Sequence, residues 1–150
     1  MTEPGPLFSG VPDKADVEDT TGYLRLAIVG STKLKGNTEA EAIIKRIIDH
    51  YWSLTNGRLV VGSGGAEGID KMAAAYFRSM GCKPKEFLPT TNRWKGPGGF
   101  QQRNWHIAVW CQRLVRIVST QTRTYGSGWT RDKAQEMGKP TEEYLIDEKD

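Results

Sequence analysis

The chain has 150 residues, of which 37% are hydrophobic, and its 21 basic and 18 acidic residues give a formal net charge of +3. This length suits one domain with its own core, and the lack of a long apolar stretch or a signal-peptide pattern predicts no membrane span and a cytoplasmic protein. The two cysteines, Cys82 and Cys111, lie far apart and the two histidines are isolated, so we expect no disulfide framework, no metal site and no cofactor.

The charge is distributed unevenly along the chain. Residues 1–20 and 141–150 each carry five acidic residues and one basic residue, whereas residues 21–140 carry 19 basic and 8 acidic residues, a net +11. A basic body favours an anionic partner, either a nucleotide or a nucleic acid; a solvated surface that serves solubility is the alternative. We predict a flexible acidic tail over 1–22, one domain over 23–146 and an acidic end over 147–150.

Strand-like and helix-like patterns alternate along the predicted domain. Apolar β-branched runs predict strands over 23–30, 58–63, 85–89, 113–119 and 141–146. Helical periodicity, with start and stop signals, predicts helices over 38–52, 66–80, 101–111 and 130–137. The alternation predicts an α/β fold: a single Rossmann-like domain with a mainly parallel sheet of about five strands, right-handed crossovers and helices on both faces.

The first predicted helix has the clearest pattern of the four. Thr38 and Glu41 have the spacing of a capping box. A single apolar stripe follows, formed by Ile43, Ile44, Ile47, Ile48 and Tyr51. This stripe predicts the face that packs on the sheet.

Ligands of parallel sheets bind at the carboxyl ends of the strands, near the switch in strand order. The first such end carries Gly30 and Ser31, followed by Lys33 and Lys35, which either add charge to a site or are simply solvated. We therefore expect a nucleotide to lie over Gly30 and Ser31.

A cluster of glycines joins the second strand to the second helix in the stretch VVGSGGAEGID, residues 60–70. The cluster serves either a tight turn or the approach of a phosphate to backbone N–H groups at Gly64 and Gly65, with the Ser63 hydroxyl beside them. Its spacing matches neither a Walker loop nor the usual dinucleotide fingerprint. In the following turn, Glu67 is placed to meet a ribose, and Asp70 is open between a structural role and a ligand role.

Two later stretches supply further candidates. In RWKGPGGFQQRN, residues 93–104, the Arg103 guanidinium can grip a phosphate beside Asn104, and Trp94 suits stacking on a base or covering a cleft. In RTYGSGWTRDKA, residues 123–134, a Gly-Ser-Gly turn opens the last helix. Its Ser127 and Thr130 can donate to a phosphate and Arg131 can add charge; a turn capped by Thr130 is the alternative.

In this order, the four stretches resemble the SLOG superfamily, and they are similar to its small bacterial and phage branch related to YspA and YpsA. The resemblance covers roughly residues 24–146. It rests on AIVGS, on SGGAEGID, on FLP followed by GPGGFQQRN, and on YGSGWTRDKAQEMGKP. Members of this superfamily commonly pair, so the resemblance implies a homodimer.

One group of relatives, the Lonely Guy phosphoribohydrolases, hydrolyses the N-glycosidic bond of nucleoside 5′-monophosphates. The resemblance implies that Arg103 corresponds to their substrate-gripping arginine and that Gly126-Ser127 aligns with their phosphate motif. Thr130 stands where that motif has its catalytic glutamate, so hydrolysis needs another proton-transfer group, for which Glu67 is the candidate. Whether the chain is an enzyme stays open.

Two other groups imply different functions. The Rossmann-like core of DNA-processing protein A has a similar first strand, glycine turn, Arg-Asn pair and late Gly-Ser turn, which implies binding of single-stranded DNA, and the basic body agrees with it. Other SLOG domains are sensors of nucleotide-derived signals.

Together, these observations lead us to expect binding of a small phosphorylated nucleotide or nucleotide-derived ligand at the carboxyl ends of the strands. Phosphoribohydrolase activity and single-stranded DNA binding are the alternatives. The expected binding residues are Gly30, Ser31, Ser63, Gly64, Gly65, Arg103, Asn104, Gly126, Ser127, Gly128, Thr130 and Arg131. Arg103 and Glu67 would be catalytic in a hydrolase.

Overall fold

A computed structural model of the chain describes residues 20–121 and 125–147. Most of the predicted tail over 1–22, and all of the predicted acidic end except Asp147, lie outside the described residues. The elements in chain order are β1 (Leu24–Gly30), α1 (Thr38–Leu54), β2 (Leu59–Ser63), α2 (Ile69–Ser79), β3 (Lys85–Glu86), α3 (Phe100–Trp110), β4 (Arg113–Ser119), α4 (Tyr125–Glu136) and β5 (Thr141–Ile146). A short 3-10 turn, Thr32–Leu34, follows β1.

The five strands form one parallel sheet in the order β3-β2-β1-β4-β5. β1 lies at its centre, where Ala27 is in register with Gly62 of β2 and with Leu114 of β4. Along the chain, β2 and β3 are added on one side of β1, and β4 and β5 are then added on its other side. The predicted α/β Rossmann-like fold is confirmed, and its switch point lies between β1 and β4.

Helices cover both faces of the sheet, as predicted. Along β1, Leu26 and Ile28 pack into a core with α1 and α2, whereas Ala27 and Val29 pack into a second core with α3 and α4. This alternation follows from the two-residue period of a strand whose faces are both covered. None of the helices in the described parts of the chain has the length and apolar character to cross a bilayer.

The apolar stripe of α1 is buried as predicted, but its cap is different. The N-cap is Asn37, whose side chain accepts a hydrogen bond from the backbone N–H of Ala40 at 2.8 Å. The capping box predicted at Thr38 is therefore wrong by one position. Asparagine is among the strongest N-cap residues, so the chain uses the better of two adjacent candidates.

The last helix begins at Tyr125, five positions before the predicted start at Thr130. Gly126-Ser127-Gly128 therefore forms its first turn and not a loop in front of it. Glycine is a poor helix former, and close packing explains its presence: a Cβ on Gly126 would lie 3.3 Å from the Asn104 amide nitrogen of α3. Contact with α3 overrides the local preference.

Candidate functional site

A cleft of about 190 Å³ lies at the carboxyl ends of the strands, beside the switch point. All four stretches singled out in the sequence contribute residues to it. Six of the expected binding residues line it: Gly30, Arg103, Asn104, Gly126, Ser127 and Thr130. Drug-sized ligands usually occupy about 300–1,000 Å³, so this cleft suits a phosphate with part of a sugar. The rest of a larger ligand would extend over its open side.

Asp70 also lines the cleft, and its carboxylate fills the glycine turn after β2. The backbone N–H of Gly64 donates to Asp70 Oδ2 at 3.0 Å. Ser63 donates its hydroxyl to the Asp70 backbone carbonyl at 3.1 Å. The anion that occupies this turn is therefore the side chain of the protein itself.

The predicted phosphate cradle changes accordingly. Ser63, Gly64 and Gly65 do not line the cleft. The Ser63 hydroxyl and the Gly64 N–H bond to Asp70 instead. Leu88 covers Gly65, where a Cβ would lie 2.4 Å from the leucine side chain. Only Ala66 of this turn reaches the cleft wall.

Asp70 is 6% exposed, and burial raises its pKa to about 6. The nearby Arg103 charge and the backbone N–H groups of Gly64, Gly30 and Ala66 oppose that rise. The cleft thus holds a carboxyl that titrates close to neutral pH, which is typical of functional sites. In the sequence, Asp70 lies next to Ile69, beside the apolar face of the predicted second helix. This position was the signal that could have indicated its burial.

Arg103 lies in the first turn of α3 and is held on several sides. Its Nε donates to the Asn104 side-chain oxygen at 2.6 Å, and its Nη1 donates to the Gly64 carbonyl and, at 3.4 Å, to the Phe87 carbonyl. Within the described residues, its Nη2 makes no hydrogen bond, which leaves two donors for an anion. Burial lowers its pKa and the Asp70 charge opposes this, so the guanidinium stays charged.

The first turn of α4 forms the opposite wall of the cleft. The Gly126 carbonyl accepts from the Asn104 amide at 3.3 Å, which ties α3 to α4, and from the Thr130 hydroxyl at 2.8 Å within α4. Two predicted phosphate donors thus bond to the protein instead. The first four N–H groups of a helix have no acceptor within the helix, and they carry its positive dipole end. Gly126 and Ser127 thus place the N-terminal end of α4, whose charge is suited to an anion, at the cleft.

Ser127 is anchored from the sheet. Its hydroxyl oxygen accepts from Arg116 Nε of β4 at 3.0 Å, and Arg116 also pairs with Glu143 of β5. Arg131, expected at the site, instead pairs with the same Glu143 at 2.6 Å and with Asp132. Neither Arg131 nor Gly128 lines the cleft.

Ser31 is fully buried one residue beyond the cleft wall at Gly30. Its backbone N–H donates to the Ile117 carbonyl at 3.0 Å, while its hydroxyl has no hydrogen-bond partner among the described residues. A buried hydroxyl in this state costs about 1–3 kcal/mol. Ser31, an expected binding residue, thus lies beside the cleft without lining it.

Glu67, the expected catalytic carboxylate, lies outside the cleft. It is exposed and forms ion pairs with Lys35 at 3.2 Å and Lys71 at 3.3 Å. Hydrogen bonds from these two lysines lower its pKa, so it stays ionised and is a poor proton donor. Of the two acidic residues in this segment, Asp70 is the one that faces the site.

Three aromatic rings adjoin the α4 side of the cleft. Trp94 lies 4.9 Å from Tyr125 and 5.7 Å from Trp129, measured between ring centroids. A Cβ on Gly126 would lie 3.9 Å from the Trp94 ring, so this aromatic cluster borders the cleft wall. The sequence singled out Trp94, but its two partners become visible only in the fold.

The described residues contain no group of three or more histidine, cysteine or acidic side chains arranged to hold a metal ion. No family model matches the chain, and no curated protein matches it.

Proposed function

We propose that the protein binds a phosphorylated nucleotide or nucleotide-derived ligand, with its phosphate between Arg103 and the first turn of α4. One observation carries the proposal: a guanidinium with two unused donors and a helix N-terminus line the same small cleft at the switch point of a parallel sheet. The resemblance to the SLOG superfamily, which rests on the order of the four motifs, agrees with this function.

The charges of the cleft support an anion. Arg103 contributes a full positive charge, the end of α4 contributes about half a charge, and Asp70 is the opposing carboxylate. A phosphate carries about −1.5 to −2 and would raise the pKa of Asp70 further, because a like charge nearby favours the neutral acid. Binding of phosphate therefore draws a proton onto Asp70 and removes the repulsion.

The test is calorimetric titration of the protein with adenosine 5′-monophosphate and with ribose 5-phosphate. Ser127→Asp is the informative variant: an aspartate can still accept from Arg116 and suits a helix N-terminus, but it adds a negative charge to the cleft. We expect affinity for both ligands to fall at least tenfold. Gln135→Glu is the matched control, because it makes the same charge change at an exposed position near the other end of α4.

Arg103→Ala and Arg58→Ala provide a second pair. Arg103 lines the cleft, whereas Arg58 is exposed beside β2 and outside the cleft lining. Loss of binding in the first variant alone supports the proposal. Equal affinity in Ser127→Asp, Arg103→Ala and the unmodified protein would refute it.

Hydrolysis of the N-glycosidic bond is the second candidate, and Asp70 favours it. A carboxyl with a pKa of about 6 can donate a proton to a leaving base near neutral pH. Incubation with nucleoside 5′-monophosphates, followed by chromatography for free base, tests this directly. Release that disappears in Asp70→Asn and persists in Glu67→Gln identifies Asp70 as the acid; intact nucleotide after long incubation identifies a binder.

A further inference from the structure

Tyr125, Trp94 and Trp129 form the aromatic cluster beside the cleft, and burial does not explain all of it. Tyr125 is 69% exposed, so its ring gains little from the hydrophobic effect. Trp94 packs against one side of it with ring planes tilted by 59°, and Trp129 meets Trp94 edge-on at 87°. Trp94, itself backed by Trp129, thus packs on a tyrosine that remains largely open to solvent.

The backbone around Trp94 is also held in place. The Arg93 carbonyl accepts from the N–H of Phe100, and the Trp94 carbonyl accepts from the N–H of Gln101, both at 2.8 Å. These two bonds occupy donors in the first turn of α3. They hold the Trp94 backbone against the N-terminal end of α3. Because these α3 donors are occupied, the N-terminus of α4 is the helix end left for a ligand phosphate.

We propose that this cluster is the nucleobase subsite, with the base stacked on the open Tyr125 ring. The inference rests on the proposed function, since it takes the phosphate position from the α4 end. Tyr125 immediately precedes Gly126 and Ser127 of the cleft wall, so a ligand that leaves the small cleft on this side meets the ring at once. Stacking accepts any planar base, so the subsite defines the ligand class as nucleoside phosphates.

The charge around the cluster suits the same ligand. Lys133 lies over the Trp129 ring, 5.3 Å from its centroid, and Arg93 and Lys95 flank Trp94 at exposed positions. Such a mixture of cations and aromatic rings binds nucleotide anions and their bases together. A simple sugar phosphate would use the cleft and leave the cluster unused.

The experiment compares adenosine 5′-monophosphate with ribose 5-phosphate, which differ by the base alone. In the unmodified protein we expect the nucleotide to bind about 5- to 150-fold more tightly, the range that stacking of one base supplies. Tyr125→Ala should abolish this preference while the affinity for ribose 5-phosphate stays the same. Tyr125→Phe keeps the ring and should keep the preference. Nucleotide binding should also quench tryptophan fluorescence, and ribose 5-phosphate should not.

The outcomes separate the two proposals. Equal affinity for the two ligands, or a preference that survives Tyr125→Ala, overturns the base subsite and leaves the phosphate site intact. Absence of binding by both ligands removes the phosphate site and the subsite with it. Tight binding of short oligodeoxythymidylates without measurable binding of mononucleotides also overturns the proposal, in favour of single-stranded nucleic acid.

Discussion

The backbone N–H of Gly64 donates a hydrogen bond to the carboxylate of Asp70, with 3.0 Å between the nitrogen and Oδ2. A glycine turn that could cradle a phosphate therefore already holds an anion that belongs to the chain. This carboxylate holds the turn in place and interacts electrostatically with Arg103. Asp70 also lines the cleft. Under the proposed function, the ligand phosphate would therefore bind at the other end of the cleft, at the first turn of α4.

The buried Asp70 carboxyl should make the protein less stable as pH rises. Its pKa goes from an ordinary 3.8 to about 6, so the folded state binds more protons than the unfolded state between these values, and raising the pH through this window costs stability. Between pH 4 and pH 7.5 we expect a loss of about 2 kcal/mol from this residue. Urea unfolding across this range measures it.

Asp70→Asn should remove this part of the pH dependence, whatever it does to stability at any one pH. Asp132→Asn is the control, since Asp132 is an exposed partner of Arg131. A variant profile that runs parallel to that of the unmodified protein would show that Asp70 titrates normally.

Ligand binding should follow the same titration. Sulfate keeps its charge between pH 5 and pH 8, so any change in its affinity over this range comes from the protein. We expect sulfate to bind several-fold more weakly above pH 7 than at pH 5, because ionised Asp70 repels it. Calorimetry in buffers of different ionisation enthalpy should detect proton uptake on binding. Constant affinity across this range would contradict the link.

Much of the fold followed from the sequence, for local reasons. The isoleucine stripe of α1 and the alternation of strands with helices are periodic signals, and both proved correct. The early start of α4 was missed because Gly126 looks like a turn residue until Asn104 packs on it. For the site, the four stretches that contribute to it could be predicted from the sequence. The bond between Gly64 and Asp70, by which a carboxylate occupies the glycine turn, could not, because no motif indicates it.

Gly68 packs closely against the backbone of Ser31 and of Thr32, a cleft-lining residue, and its replacement should be costly. Gly68 and Gly138 both have positive φ, 84° and 78°, but a Cβ on Gly68 would lie 2.4 Å from the Ser31 carbonyl oxygen, whereas one on Gly138 meets nothing within 4 Å. Gly138→Ala should cost about 1 kcal/mol for the backbone conformation alone. Gly68→Ala should cost at least about 3 kcal/mol. Similar melting temperatures for the two variants would show that the backbone of Ser31 and Thr32 moves away at little cost.

Glu143 is an acidic residue close to the α4 end of the cleft, where it pairs with two arginines. It faces Arg131 at 2.6 Å and pairs with Arg116, the residue that holds the Ser127 hydroxyl. Glu143→Gln removes a negative charge here and should tighten binding of sulfate or adenosine 5′-monophosphate a few-fold at low ionic strength. The gain should shrink at 0.5 M salt because screening weakens such charges.

Glu142→Gln is the matched control for this effect. Glu142 is the neighbouring residue of β5, but it accepts from the Tyr51 hydroxyl at 2.7 Å and faces Arg113, both outside the cleft. The two variants have the same net charge, so a general effect of protein charge would appear in both. Tightening in Glu143→Gln alone requires the anion to bind near Ser127, which locates it at the first turn of α4 without a bound structure; equal changes in both variants would count against that position.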